Sequence, residues 1–196
     1  VRINGQPFRT IWQADASGDV AVIDQTLLPF AFEVRTLRRV DETAAAIRDM
    51  VVRGAPLIGV TAAYGVALAL RENASDASLV AAIESLVATR PTAVNLRWAA
   101  ERMRRILAPL APGERVARAY AEAAAIAEED VASCAAIGWH GLGLLRELAL
   151  DRDGKPVNVL THCNAGWLAC VDWGTALAPV YAAHEAGLPV HVYVDE

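Results

Sequence analysis

The sequence predicts an α/β protein in two parts: a small N-terminal domain of β hairpins plus helices over residues 1–150, then the start of a parallel-sheet domain over residues 151–196. Three observations carry this. Alternating apolar runs broken by turn clusters fill residues 8–36. Apolar residues at the helical period dominate from 41 to 150. A strand, helix, strand pattern then follows the charged turn Asp151-Arg152-Asp153-Gly154-Lys155.

In chain order, F-R-T-I-W-Q and V-A-V-I-D-Q flank the turn cluster A-D-A-S-G-D and read as a hairpin, with a third short strand over Phe32 to Leu37 beyond Pro29. Asp41 is placed to cap a helix through Ala44, Ile47, Met50 and Val51. Arg53-Gly54-Ala55-Pro56 ends it, and Pro56 suits the first turn of the next helix, where its missing N–H costs nothing. That helix runs through Tyr64 and Leu68 with nearly every side apolar, which predicts a buried core helix. A third helix is expected over 76–89, broken by Arg90-Pro91. A fourth spans Ala93 to Leu107, with Arg97, Arg102, Arg104 and Arg105 read as a solvated face. Gly113 to Leu150 is Ala-rich and helical, with a break expected near Gly138, Gly141 and Gly143. Strand 156–161, a helix from about Thr175 to Ala186, the turn Gly187-Leu188-Pro189 and strand 190–194 then make one βαβ unit. Two strands cannot bury both faces of a sheet, so the second domain is expected to be incomplete and the native chain to continue beyond Glu196.

Composition narrows the function classes. With 55% hydrophobic and 21% charged residues over 196 positions, there is ample material for a core. The net charge of −5 offers no basic footprint, so no nucleic-acid partner is expected. Cys134, Cys163 and Cys170 are too few and odd in number for a disulfide framework, which points to a reducing, cytoplasmic setting. The N-terminus lacks a basic segment followed by an apolar run. The longest uncharged stretch, residues 54–70, is shorter than the ~20 apolar residues a membrane span needs. No membrane partner is expected.

The chemistry is expected at the segment Thr161 to Gly166, T-H-C-N-A-G, at the mouth of a strand. In open α/β sheets ligands bind at the carboxyl ends of the strands. Cys163 there can act as acid, base or nucleophile if it is partly exposed near helix-start amides. The plainer reading is a small buried residue in a tight turn. Small Ala165 and Gly166 favour the first reading, because they let a ligand approach the backbone and the N–H groups around Gly166 can form an anion nest. Arg53, Gly54 and Ala55 offer a guanidinium beside helix-start amides, a combination suited to phosphate; equally, they read as a helix-terminal arginine with a glycine cap. Arg90, held extended by Pro91, is a second phosphate candidate, with Thr92 or Asn95 able to cap the helix that follows. His140, His162, His184 and His191 share no metal-ligand spacing, so no metal is expected. A direct His162–Cys163 dyad is not expected, since neighbouring strand-end residues point apart. Cys170 and most tryptophans read as core, and Trp167 as a shield against solvent. Neither glycine-rich nucleotide signature occurs.

Five ordered motifs, I-D-Q-T-L-L-P (23–29), V-R-G-A-P-L-I-G-V-T-A-A-Y-G (52–65), R-P-T-A-V-N-L (90–96), T-H-C-N-A-G (161–166) and G-T-A-L-A-P-V-Y (174–181), resemble the methylthioribose-1-phosphate isomerase family, related to regulatory subunits of the translation initiation nucleotide-exchange factor. The resemblance implies a Rossmann-like second domain, a homodimer, and a cofactor-free conversion of 5-methylthioribose 1-phosphate to 5-methylthioribulose 1-phosphate in methionine salvage. The family's cysteine matches Cys163, its phosphate-side residues match Arg53, Gly54 and Ala55, and its second substrate arginine matches Arg90. The phosphate locks the anomeric carbon, so an enolate route and a hydride shift are both open, each helped by a water-poor site. The family's catalytic aspartate and further ligands follow a D-E-T-R-P segment, of which Asp195-Glu196 are the first two letters. Asp195 is therefore not that aspartate, and a protein ending there is predicted to be inactive. Two alternatives stand beside this reading: a non-catalytic subunit sensing a phosphorylated ligand, and a ribose 1,5-bisphosphate isomerase.

Overall fold

A computed structural model of the chain describes residues 1–195. The expected α/β class is observed, as two compact units: residues 10–128, and residues 1–9 together with 129–196. The division between these units falls inside a long helix. The cause is packing: Leu142 and Leu145, on the second half of that helix, share one apolar cluster with Val157, Ala182 and Ala183.

The unit of residues 10–128 opens with a three-stranded antiparallel sheet. Its strands are β3 (Ile11–Gln13), β4 (Val20–Ile23) and β5 (Val34–Leu37), in the order β3-β4-β5, with Ile11 opposite Val22 and Val22 opposite Arg35. This is the expected hairpin plus third strand. All four residues of β4 are buried, as suits a central strand. Asp24 ends β4 and turns the chain: Oδ1 accepts from the Thr26 N–H and hydroxyl, and Oδ2 pairs with Arg35 at 2.8 Å. The Gln25 N–H donates to the Val51 carbonyl at 3.0 Å, tying the I-D-Q loop to the stretch that leads into Arg53.

Four helices complete this unit with the first part of a fifth. In α1 (Val40–Arg48) the first-turn acids are Asp41 and Glu42. Asp41 does not cap it; Glu42 reaches back to the Arg38 N–H at 2.6 Å. The helix stops at Arg48, earlier than expected, with Met50 in the left-handed region at φ 60° and Val51 and Val52 buried in the bend that follows. Helix α2 (Ala55–Glu72) is the buried core helix the sequence predicts: every residue from Leu57 to Leu70 is buried. It packs against α1, α3 (Asp76–Thr89) and α4 (Val94–Leu107). Ser75 caps α3 by accepting from the Ser78 N–H at 3.3 Å, which is why the expected limits 76–89 are met. Arg104 and Arg105 of α4 are exposed as expected, but Arg102 is not a solvated residue. It pairs with buried Glu122 at 2.7 Å and lies over the Trp98 ring at 5.5 Å.

Helix α5 (Pro112–Ala149) runs unbroken for 38 residues, so the expected break at its glycines is absent. Ala-rich flanks sustain it, and the glycines serve a neighbour instead. A Cβ on Gly138 would lie 3.2 Å from the Ala178 carbonyl, and one on Gly141 would lie 2.3 Å from the Pro179 ring. Both neighbours open α6 (Ala178–Glu185). With β6 (Val157–His162) and β7 (Val190–Asp195), α6 makes the expected βαβ unit, the strands parallel with Val157 opposite Val190. The same unit contains the short pair β1 (Arg2–Ile3) and β2 (Gln6–Pro7), which the sequence did not signal. No helix among the described residues is long and apolar enough to cross a membrane.

Candidate active site

Strand β6 delivers its last residues to the T-H-C-N-A-G segment. Cys163 follows it directly, in the left-handed region at φ 67°, with its thiol exposed. A non-glycine residue in this conformation carries a steric cost and occurs where the surroundings hold it. Here its N–H donates to the Asp195 carbonyl at 3.1 Å, its own carbonyl accepts from Ala165, and Ala165 in turn accepts from the Thr175 N–H at 3.1 Å. The chain therefore reverses at Cys163. His162 turns away to pair with Asp195, its Nδ1 2.8 Å from Oδ1, so the neighbouring histidine is engaged elsewhere.

Backbone beyond the thiol is tightly packed yet rich in unused donors. The amides of Asn164, Gly166 and Trp167 meet no acceptor among the described residues, and a one-turn 3-10 helix, Trp167–Ala169, begins at that point. Gly174, at φ 85°, permits this: a Cβ there would lie 2.3 Å from the Gly166 carbonyl carbon and 2.6 Å from the Trp167 nitrogen. Thr161 Oγ1 and Trp167 Nε1 are buried and have no hydrogen-bond partner among the described residues. Unused amides on the segment that follows an exposed thiol suit a polar or anionic ligand.

In the residue 10–128 unit, Gly54 is the N-cap of α2 with φ 106° and ψ 134°, a conformation open only to glycine. The glycine-cap reading for the preceding helix therefore falls, since α1 ends at Arg48, six residues before Gly54. At the positive end of α2 the Ala55 N–H meets no acceptor and exposed Arg53 has no ion-pair partner among the described residues. Arg90 has φ −143° and ψ 78°, outside the helical region as its position before Pro91 requires but short of fully extended, and its carbonyl accepts from Ala93. Neither Thr92 nor Asn95 caps α4; Ala93 is the N-cap and no side chain bonds there. A Cβ on Gly59 would lie 2.9 Å from the Asn95 carbonyl, so the first turns of α2 and α4 abut. The segments carrying Arg53 and Arg90 are brought to neighbouring helix starts in one unit; Cys163 belongs to the other.

A cluster of another kind escaped the sequence. Asp130, Cys134 and Cys170 place their ligand atoms within 4.8 Å of one another. The hydrogen bond from Cys170 to Cys134 is the main cause that lowers the Cys134 pKa and raises that of Cys170, where burial adds to the rise. Burial pushes the Asp130 carboxyl up as well. The i, i+4 spacing of Asp130 and Cys134 was the available signal; Cys170 lies too far along the chain to betray itself.

The sequence profile of the initiation factor 2 subunit family matches residues 51–196. Methylthioribose-1-phosphate isomerase of Methylorubrum populi is 63% identical over the whole chain, which covers 53% of that protein; the Rhodospirillum centenum protein of the same name is 61% identical, with 52% covered. The chain thus spans about half the length of the curated relatives it matches. Among solved structures, 5-methylthioribose 1-phosphate isomerase from Pyrococcus horikoshii superposes with a TM-score of 0.82 at 35% identity, over 95% of this chain and 52% of that one. Translation initiation factor eIF-2B, subunit delta, from A. fulgidus gives a TM-score of 0.80 at 39% identity, over 96% and 54%.

Proposed function

The chain belongs to the initiation factor 2 subunit family, and from that premise we propose that it carries part of the active site of an isomerase converting 5-methylthioribose 1-phosphate to 5-methylthioribulose 1-phosphate, a cytoplasmic step of methionine salvage. The observation that carries the reading is the exposed Cys163 thiol, held at a strand end beside free amides. Relatives up to 64% identical that bear the isomerase name support it.

The isomerisation oxidises the C2 carbinol to a ketone and reduces C1. Cys163 moves the proton this requires, in an enolate route or alongside a hydride shift. Arg53 and the amides at the start of α2 hold the phosphate dianion, where the helix dipole and a bidentate guanidinium act together. Gly54 lets the chain turn into that helix and Ala55 leaves room above it. Arg90 supplies the second cation. Trp167 lowers local polarity, which strengthens each of these contacts. No metal or organic cofactor is assigned a part in this chemistry. β6, α6 and β7 are read as the first βαβ unit of a Rossmann-like catalytic domain over 151–196, following an N-terminal domain over 1–150. The working protein is read as a homodimer.

The test is steady-state kinetics on the full-length protein. Cys163→Ala is expected to lower kcat by about 10²–10⁴-fold, the range of a lost general acid–base group. Arg53→Ala and Arg90→Ala are expected to raise KM with kcat less affected. Near-normal turnover in Cys163→Ala removes the thiol from the mechanism. Ribose 1,5-bisphosphate as a competing substrate separates the neighbouring isomerase activity. The likeness to the initiation-factor subunit favours a second reading, a phosphate-ligand sensor; it predicts ligand binding with no turnover by the unsubstituted protein.

A further inference from the structure

Asp130 and Cys134 lie one turn apart on α5 and therefore share a face. Cys170 meets them from the segment just after the 3-10 turn. One carboxylate oxygen and two sulfurs converge within 4.8 Å, with Cys134 Sγ 3.9 Å from Asp130 Oδ1. Both sulfurs belong to residues at most 1% exposed. The carboxylate is half-buried and has no cation beside it among the described residues; its second oxygen accepts the Val171 N–H at 2.7 Å. Withdrawing a carboxylate from water without a counter-charge is costly, and here the nearest groups are two thiols whose anions are themselves soft metal ligands.

We propose that Asp130, Cys134 and Cys170 form a structural binding site for one divalent, thiolate-preferring metal ion of the zinc class. Two sulfurs and one carboxylate oxygen are a ligand set zinc accepts. Tetrahedral zinc, with Zn–S about 2.3 Å and Zn–O about 2.0–2.2 Å, sets S···O edges of about 3.5 Å, so the 3.9 Å edge needs only a small contraction. A water completes four-coordination. Binding exchanges one proton from each thiol for the metal: Zn²⁺ and two S–H groups give two Zn–S bonds and two protons, and the carboxylate adds the third bond. The Val171 N–H then orients the ligating carboxylate from the second shell. Cys170 lies on the same segment as Cys163, so the ion would pin the end of the T-H-C-N-A-G turn to α5. The proposal does not depend on the isomerase reading, and metal content is measured independently of turnover.

The full-length protein, without a histidine tag, is purified from zinc-supplemented cells and its metal measured by mass spectrometry. About one zinc per chain is expected, falling at least tenfold in Cys134→Ser and Cys170→Ser and staying unchanged in Cys163→Ser. Metal-free protein given cobalt(II) should show a thiolate-to-cobalt charge-transfer band. Wild-type protein that retains no zinc and shows no such band overturns the proposal, as does zinc kept equally by both serine variants. A Cys134–Cys170 disulfide in a non-reducing peptide map also overturns it, in favour of a thiol pair oxidised by peroxide. Should the serine variants fail to fold, the metal content and cobalt spectrum of the wild type still decide.

Discussion

Tyr120 shows how one side chain can set a pH limit. Its hydroxyl donates to the Gly18 carbonyl at 2.8 Å, and Arg71 holds the same turn through the Ser17 carbonyl at 2.7 Å and Asp19 at 2.9 Å. Gly18 is a required glycine, since φ is 88° and a Cβ would lie 2.6 Å from the tyrosine oxygen. Burial raises the Tyr120 pKa, against the pull of Arg71. A folded pKa above the unfolded value near 10 means that the folded protein keeps the proton longer; its contribution is complete below about pH 10 and is lost as pH rises through the folded value. Tyr120→Phe is therefore expected to lose about 1 kcal/mol at pH 7 through the missing hydrogen bond, and to decline less steeply above pH 10. Urea denaturation at both pH values checks this. Half-buried Tyr181, its pKa raised by burial, leaves some alkaline slope in either protein; an unchanged slope would acquit Tyr120.

At the scale of elements, the glycines of α5 separate two roles that look alike in sequence. Gly141 faces the Pro179 ring, which cannot swing aside, whereas nothing lies within 4 Å of a Cβ on Gly143. Glycine inside a helix costs roughly 0.5–1 kcal/mol relative to alanine. Gly143→Ala should therefore stabilise the protein by about that amount, while Gly141→Ala should destabilise it by about 1–3 kcal/mol through overpacking. Equal shifts in thermal midpoint for the two would refute the assignment. The expectation of a helix break failed for the same reason. Helix periodicity and alanine content were local and legible, but the surface that needs Gly138 and Gly141 is Ala178 and Pro179, some forty residues on. Elements with local signals fared better: Arg90-Pro91 marked the end of α3, and alternation with turn clusters marked β3 to β5. The site divides likewise. The strand-end position of Cys163 was readable from its immediate neighbours, whereas Gly54 read equally as the end of one helix or the start of the next. The abutting starts of α2 and α4, and the Asp130–Cys134–Cys170 cluster, arise only from tertiary packing.

On the scale of the whole molecule, the least legible residue is Arg115. A charged residue near the start of an exposed-looking helix reads as surface, yet its side chain is 3% exposed. Nε donates to the carbonyls of Leu107 and Leu110, Nη1 to Ala74, and Nη2 to Ala108 and to the Asp76 carboxylate. One guanidinium thus ties the end of α4, the approach to α3 and the start of α5, closing the helical layer on which Arg53 and Arg90 are presented. The partners differ in worth. The Asp76 side chain is 87% exposed, so solvent screens that pair and its removal is expected to cost no more than about 1 kcal/mol. The carbonyls are different: without the guanidinium, acceptors turned inward lose their donors, and each unmade buried bond costs about 1–3 kcal/mol. Arg115→Ala is therefore expected to cost about 3–5 kcal/mol and Asp76→Asn at most about 1, a contrast measurable by denaturant midpoints at constant slope. Arg115→Lys should recover little, because an ammonium cannot span four carbonyls on two segments. Comparable losses from Arg115→Ala and Asp76→Asn would mean that the ion pair, and not the carbonyl lattice, holds this corner of the fold.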